Sequence, residues 1–170
     1  ELGVGFGHVR LSIIDVESGA QPMSNEAGLT ICFNGEIYNY IELKKELSDY
    51  NFKTQSDTEV VLAAFQKWGK ECLNKFRGMF AFVVWDAKTQ TMFCARDQFG
   101  VKPFYYTVVD DVFYFCSEAK GLLPFLPQIE TDPHALNEYL VFQMYLTDKT
   151  LFKGIYQLAP GHHMTIKNGK

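Results

Sequence analysis

The sequence predicts an α+β fold, a layered sandwich of antiparallel strands with helices on the outside. Residues 79–86 (MFAFVVWD) are apolar on both faces, so a strand there needs cover from two sides. That run is joined to a second one, 92–97, by the polar stretch 87–91, which is the pattern of a hairpin. Between such strand pairs lie segments of helical period, several of them opened by a capping residue or closed by glycine or proline. Hairpins alternating with helices therefore organise the chain.

In order, residues 7–15 follow a glycine-rich start and read as a strand with mixed faces, and 17–28, with Gly19, Pro22, Asn25 and Gly28, read as a loop. Residues 29–33 are apolar and partly β-branched, suiting a buried strand that breaks at Asn34-Gly35. A helix over 38–48 then has Ile41, Leu43 and Leu47 at roughly helical spacing and Glu42, Lys44, Lys45 and Glu46 on a solvated face. Ser56 or Asp57 caps the next helix, which runs to Trp68 and stops at Gly69. A short helix over 71–76 precedes the first hairpin, and a second hairpin joins 104–107 to 112–116 through Asp110-Asp111. Ser117 to Lys120 opens a helix that Pro124 and Pro127 break. Asp132-Pro133 starts another through Phe142, and 150–163 form strand and turn, with His162 and His163 as turn residues.

At 170 residues the chain is long enough for one domain with a real core, and 47% hydrophobic and 15% aromatic content agree with a globular protein. A formal charge of -4 without any basic run gives no electrostatic basis for binding nucleic acid or an anionic membrane. No apolar run has spanning length and no leader is evident, so a soluble, cytoplasmic protein is expected. Cys32, Cys72, Cys94 and Cys116 show neither Cys-x-x-Cys spacing nor a histidine partner, so no metal site is expected. An internal catalytic thiol would need a base nearby, and no histidine adjoins any of the four.

Chemistry is expected at Phe33-Asn34-Gly35-Glu36-Ile37-Tyr38-Asn39. Glycine lets its N–H approach a ligand and the neighbouring carboxamide offers a second donor, and two converging donors suit an oxyanion. Asn-Gly is also the strongest short turn signal, so the dipeptide alone reads first as a plain turn. The whole heptapeptide resembles class II glutamine amidotransferase domains, in detail those of the asparagine synthetase family.

Other segments extend the resemblance over nearly the whole chain: Gly7-His8-Val9-Arg10-Leu11-Ser12-Ile13-Ile14-Asp15, Gln21-Pro22-Met23-Ser24-Asn25, Ser56-Asp57-Thr58-Glu59 and residues 96–106. Ser117-Glu118-Ala119-Lys120 also matches, with Gly121 where alanine is usual, a change that should weaken the helix slightly. The resemblance implies a four-layer αββα sandwich of the N-terminal-nucleophile (Ntn) hydrolase type, with mainly antiparallel sheets. It implies an oxyanion hole made by the Asn34 side chain and the Gly35 N–H. Arg10 would hold the α-carboxylate of glutamine, with the backbone at Leu11 and Ile13 shaping the pocket, and Asp57 would bind the α-amino group with a second contact from Glu36. A guanidinium suits a carboxylate through two parallel bonds, and an aspartate at a helix N-terminus stays ionised easily. On residue type alone, Arg10 reads as a surface ion pair and Asp57 as a helix cap. Arg96 and Asp97 read as a structural pair.

In this family a cysteine at the mature N-terminus is nucleophile, with its own α-amino group as base. The chain as read begins with Glu1, enters the pattern after that point, and holds no phosphate loop of a synthetase domain. The expectation is thus a glutaminase-domain piece, residues 1–170, of a larger enzyme that makes asparagine from aspartate, glutamine and ATP, and inactive as it stands. No cofactor is expected here, while ATP and Mg belong to the synthetase domain of the same protein. L-glutamine and that C-terminal synthetase domain are the expected partners, and a homodimer is allowed for. The alternatives are a sister amidotransferase with another acceptor and a non-enzymatic glutamine-binding or assembly module.

Overall fold

The computed structural model describes residues 3–9, 15 and 19–167. The main sheet has the order β1-β2-β3-β4-β8 and is antiparallel throughout: β1 (Met23–Ser24), β2 (Leu29–Ile37), β3 (Gly78–Asp86), β4 (Thr91–Arg96) and β8 (His163–Lys167). A second antiparallel sheet has the order β6-β5-β7, from β5 (Tyr105–Val109), β6 (Val112–Cys116) and β7 (Tyr156–Gln157).

The period-2 alternation of β2, β3 and β4 divides the interior into two cores. Leu29, Ile31, Phe33, Phe80, Phe82, Val84 and Phe93 face a helical layer of α1 (Tyr40–Glu46) and α2 (Asp57–Trp68), meeting Leu43, Leu47 and the run Val60 to Ala64. Phe82 lies 5.7 Å from Phe80 and 6.1 Å from Phe93, ring centre to ring centre. Burying such a side chain contributes about 1.5–3 kcal/mol. The intervening residues Ala81, Val83 and Cys94 face the second sheet through Phe104, Phe115 and Leu158. β3 is therefore apolar on both faces because it is covered on both. On the far side of the second sheet, a 3₁₀ segment (Ala119–Phe125) stacks Phe125 on Tyr114 at 4.2 Å.

Several expectations change. β2 does not break at Gly35 but continues to Ile37, pairing Gly35 with Phe80 and Ile37 with Gly78. Gly35 has φ +152°, and a Cβ there would collide with the Met79 carbonyl oxygen, while one at Gly78 would collide with the Glu36 carbonyl oxygen. The two glycines are required by close backbone approach between strands, not by a turn. Ile41 is 55% exposed, so only Leu43 and Leu47 of the expected apolar stripe reach the core. At Gly121 a Cβ would stand 2.7 Å from Cys116 Sγ, which accounts for glycine there. His163 begins β8 and packs on Phe93 at 5.4 Å, whereas His162 lies in the preceding turn.

Arg96 and Asp97 are structural, but as two separate clasps. The Asp97 carboxylate accepts from the N–H groups of Phe80, Phe99, Val101 and Lys102, all within 3.2 Å. Four donors hold its pKa below the usual carboxylate range against the opposing cost of burial. The Arg96 guanidinium donates to the carbonyls of Lys102, Leu158 and Gly100 at 2.6–2.8 Å. Together they fix the corner between β4 and the second sheet.

α3 (Pro133–Phe142) is capped by Asp132, which accepts from the N–H of His134 and Ala135. Ala135 alone of its residues is buried, and Leu140 and Val141 are 66% and 71% exposed. No described helix is long and apolar enough to cross a membrane.

Candidate functional site

Between the two sheets opens a cleft of about 810 Å³. Cys32, Asn34, Ala81 and Val83 form one wall, and Phe104 and Phe115 the other. At one end, β2 brings Asn34, Gly35 and Glu36 beside the first turn of α2, which supplies Asp57 and Thr58. The cleft follows from strand parity: β2 residues of even number face away from the helices, and from Cys32 onward that side lines open space.

Ser56 is the N-cap of α2, its hydroxyl accepting from the Thr58 N–H at 3.2 Å. Asp57 is the first helical residue and not the cap. Its carboxylate turns to the strand and accepts from the Ile37 N–H at 3.0 Å, although the residue is only 5% exposed. The carboxylate is thus tied to the strand end that carries Gly35 and Glu36.

The surroundings of Asp57 raise its pKa, where the helix terminus alone was expected to favour the charge. Burial raises its pKa most, Glu36's charge adds to the rise, and the N–H groups of Ile37 and Thr58 only partly oppose them. The expected ease of ionisation counted the helix terminus and omitted desolvation. A cation placed beside Asp57 and Glu36 would offset that cost, so the pair is suited to an ammonium group.

Burial also governs the thiols. It pushes Cys32 up to about 11 and Cys72 up to about 12, and raises Cys94 further. Cys32, though on the cleft wall, is therefore a poor nucleophile at neutral pH. Among the described residues, no group of three or more His, Cys, Asp or Glu side chains is arranged to hold a metal ion.

Asn34, Gly35, Glu36 and Asp57 thus line one cleft, while Arg10, Leu11 and Ile13 lie outside the described residues. The cleft also contains His8, Gln21, Thr58, Lys102 and Lys120, to which the sequence reading gave no role. The signals were present in the His-x-Arg and Gln-Pro segments, but their direction into the cleft depends on the fold.

Residues 1–170 match the family model described as a glutamine amidotransferase domain. The chain belongs to the glutamine amidotransferase domain family. Asparagine synthetase [glutamine-hydrolyzing] 1 of Bacillus subtilis strain 168 is 48% identical over 96% of this amidotransferase domain, which spans 26% of that relative. Asparagine synthetase [glutamine-hydrolyzing] 3 of the same organism is 42% identical over 94% of the domain. Amidase chry2 of Gibberella zeae is 39% identical over 95% of it. The chain accordingly spans about a quarter of the length of these curated relatives. Among solved structures, the glutamine phosphoribosylpyrophosphate amidotransferase of B. subtilis superposes with TM-score 0.62 at 23% identity, covering 95% of this domain and 32% of that chain. The fold is therefore the Ntn-type amidotransferase sandwich.

Proposed function

We propose that this domain is the glutaminase part of a glutamine-dependent asparagine synthetase. The supporting observation is the convergence, in one cleft, of two donors at Asn34 and Gly35 with two carboxylates at Glu36 and Asp57. The donors suit an oxyanion and the carboxylates suit an ammonium, which are the reacting and the anchoring ends of glutamine. Arg10 would take the α-carboxylate, with Leu11 and Ile13 shaping that end.

In this reading the parent protein carries an N-terminal cysteine ahead of residue 1. Its thiol attacks the glutamine side-chain carbonyl, and its amino group takes the thiol proton and passes it to the departing ammonia. The oxyanion is held by the Asn34 carboxamide and the Gly35 N–H, and water then cleaves the thioester to glutamate. Ammonia goes to an aspartyl-adenylate made in the C-terminal synthetase domain, where ATP and Mg are used. The parent works in the cytoplasm, and light scattering would tell whether it is a homodimer.

Losing one oxyanion donor costs about 3 to 4 kcal/mol of barrier. In the complete parent, Asn34→Ala should lower glutamine hydrolysis by about a hundredfold or more and leave synthesis from free ammonia unchanged. Normal glutaminase turnover in that variant would sink the assignment. The similarity to Amidase chry2 favours one second reading, in which the same front domain serves another acceptor. Product analysis of the parent with aspartate, ATP and glutamine separates the two.

A further inference from the structure

β1 pairs Met23 with Ile31 and Ser24 with Thr30. Extending that register places Gln21 opposite Phe33, the residue before Asn34. Pro22 intervenes, and the ladder is continued by the Gln21 side chain instead. Its carboxamide oxygen accepts from the Phe33 N–H at 2.6 Å, and its nitrogen donates to the Phe33 carbonyl at 3.0 Å. The same nitrogen lies 3.4 Å from the Thr58 hydroxyl, in the first turn of α2 beside Asp57.

His8 supplies a second donor to this carbonyl, with Nε2 at 3.2 Å from the Phe33 oxygen. A carbonyl can only accept, so Nε2 carries a proton and donates in this contact. Its Nδ1 is buried and without a partner among the described residues. Two side chains from different segments therefore fix one peptide group.

We propose that Gln21 and His8 are positioning residues for the oxyanion hole. They hold the Phe33–Asn34 peptide so that the Asn34 carboxamide and the Gly35 N–H point to one place in the cleft. Neither touches the reacting atoms; both act through Asn34. The proposal rests on the glutamine-hydrolysing reading above. A misplacement of reacting groups by about 1 Å can cost about a hundredfold in rate, so a small loosening is enough to matter.

The test has two arms. In the complete parent, Gln21→Met and His8→Leu, which keep bulk and remove the hydrogen bonds, should lower kcat for glutamine about tenfold to a hundredfold with KM little changed. His8→Gln, which can return a nitrogen donor near the Nε2 position, should restore most of that loss, and synthesis from ammonia should stay intact. A raised KM with unchanged kcat, or His8→Gln as poor as His8→Leu, would overturn the proposal. In the second arm, on this chain without any reaction, the amide resonances of Asn34 and Gly35 should shift in Gln21→Met while those of β5 and β6 stay in place. Unmoved Asn34 and Gly35 amides would also overturn it, whatever the substrate. If instead the unaltered parent fails to hydrolyse glutamine while the amides shift as expected, the functional reading fails and takes the oxyanion-hole role with it, leaving only the hold of Gln21 on the Phe33–Asn34 peptide.

Discussion

At Asp57 the demands of stability and of binding oppose each other. The carboxylate is buried, lies near Glu36 and has its pKa raised above the ordinary value. A carboxyl whose pKa is higher folded than unfolded binds more protons in the folded state between those two values, so its effect on stability worsens as pH rises through that window. The cost of the charge is fully present above the folded pKa. Asp57→Asn removes the charge and keeps an oxygen that can accept from the Ile37 N–H. Thermal melts should show the variant at least as stable as the original at pH 7, with its advantage shrinking as pH falls toward 4. Calorimetry on the complete parent should at the same time show glutamine affinity lost. A variant markedly less stable at neutral pH would mean that Asp57 serves mainly as a strand anchor. Asn34, Glu36 and Asp57 were legible in the sequence because each lies in a short contiguous motif. Gln21 was not, since a carboxamide standing in for backbone is a property of register between two strands.

Among the elements, the end of the β2–β3 ladder limits change most. The sequence marked Gly35 as a break because local rules know glycine as a turn residue, and nothing local reports that another backbone lies against it. Gly78, on the partner strand, read only as the close of the short helix over 71–76, for the same reason. Each glycine leaves room for a carbonyl of the other strand, so a methyl at either position must push the strands apart. Gly78→Ala should destabilise the fold by about 1–3 kcal/mol, the range for forced overpacking, as read from urea titration. It should also lower glutamine turnover in the parent, since Gly78 pairs with Ile37 at the end of the strand that carries the oxyanion donors. Full stability in this variant would show that the strands can separate without cost. Helix positions were easier to read: Ser56, Gly69 and Asp132 all mark ends where capping chemistry puts them.

The molecule as a whole was legible in its layering. A strand apolar on both faces required two covers, and β3 has them in α2 and in the second sheet. The partition of strands between sheets was not legible, because it depends on pairings distant in sequence. β4 pairs with β3 on one side and with β8, from the far end of the described chain, on the other. Short-range patterns find the hairpin and miss the closing strand.

That late pairing has a consequence during synthesis. Translation proceeds at about 5–20 residues per second, so the outer edge of β4 waits several seconds for its neighbour after it is made. Throughout that interval the nascent chain presents an unpaired apolar edge, Phe93-Cys94-Ala95, which is a template for pairing with another chain. Chains ended before His163 should therefore collect in the insoluble fraction on expression, while chains ended after Lys167 should not. Equal solubility of the two would mean that β4 is protected on the ribosome by something other than its final partner.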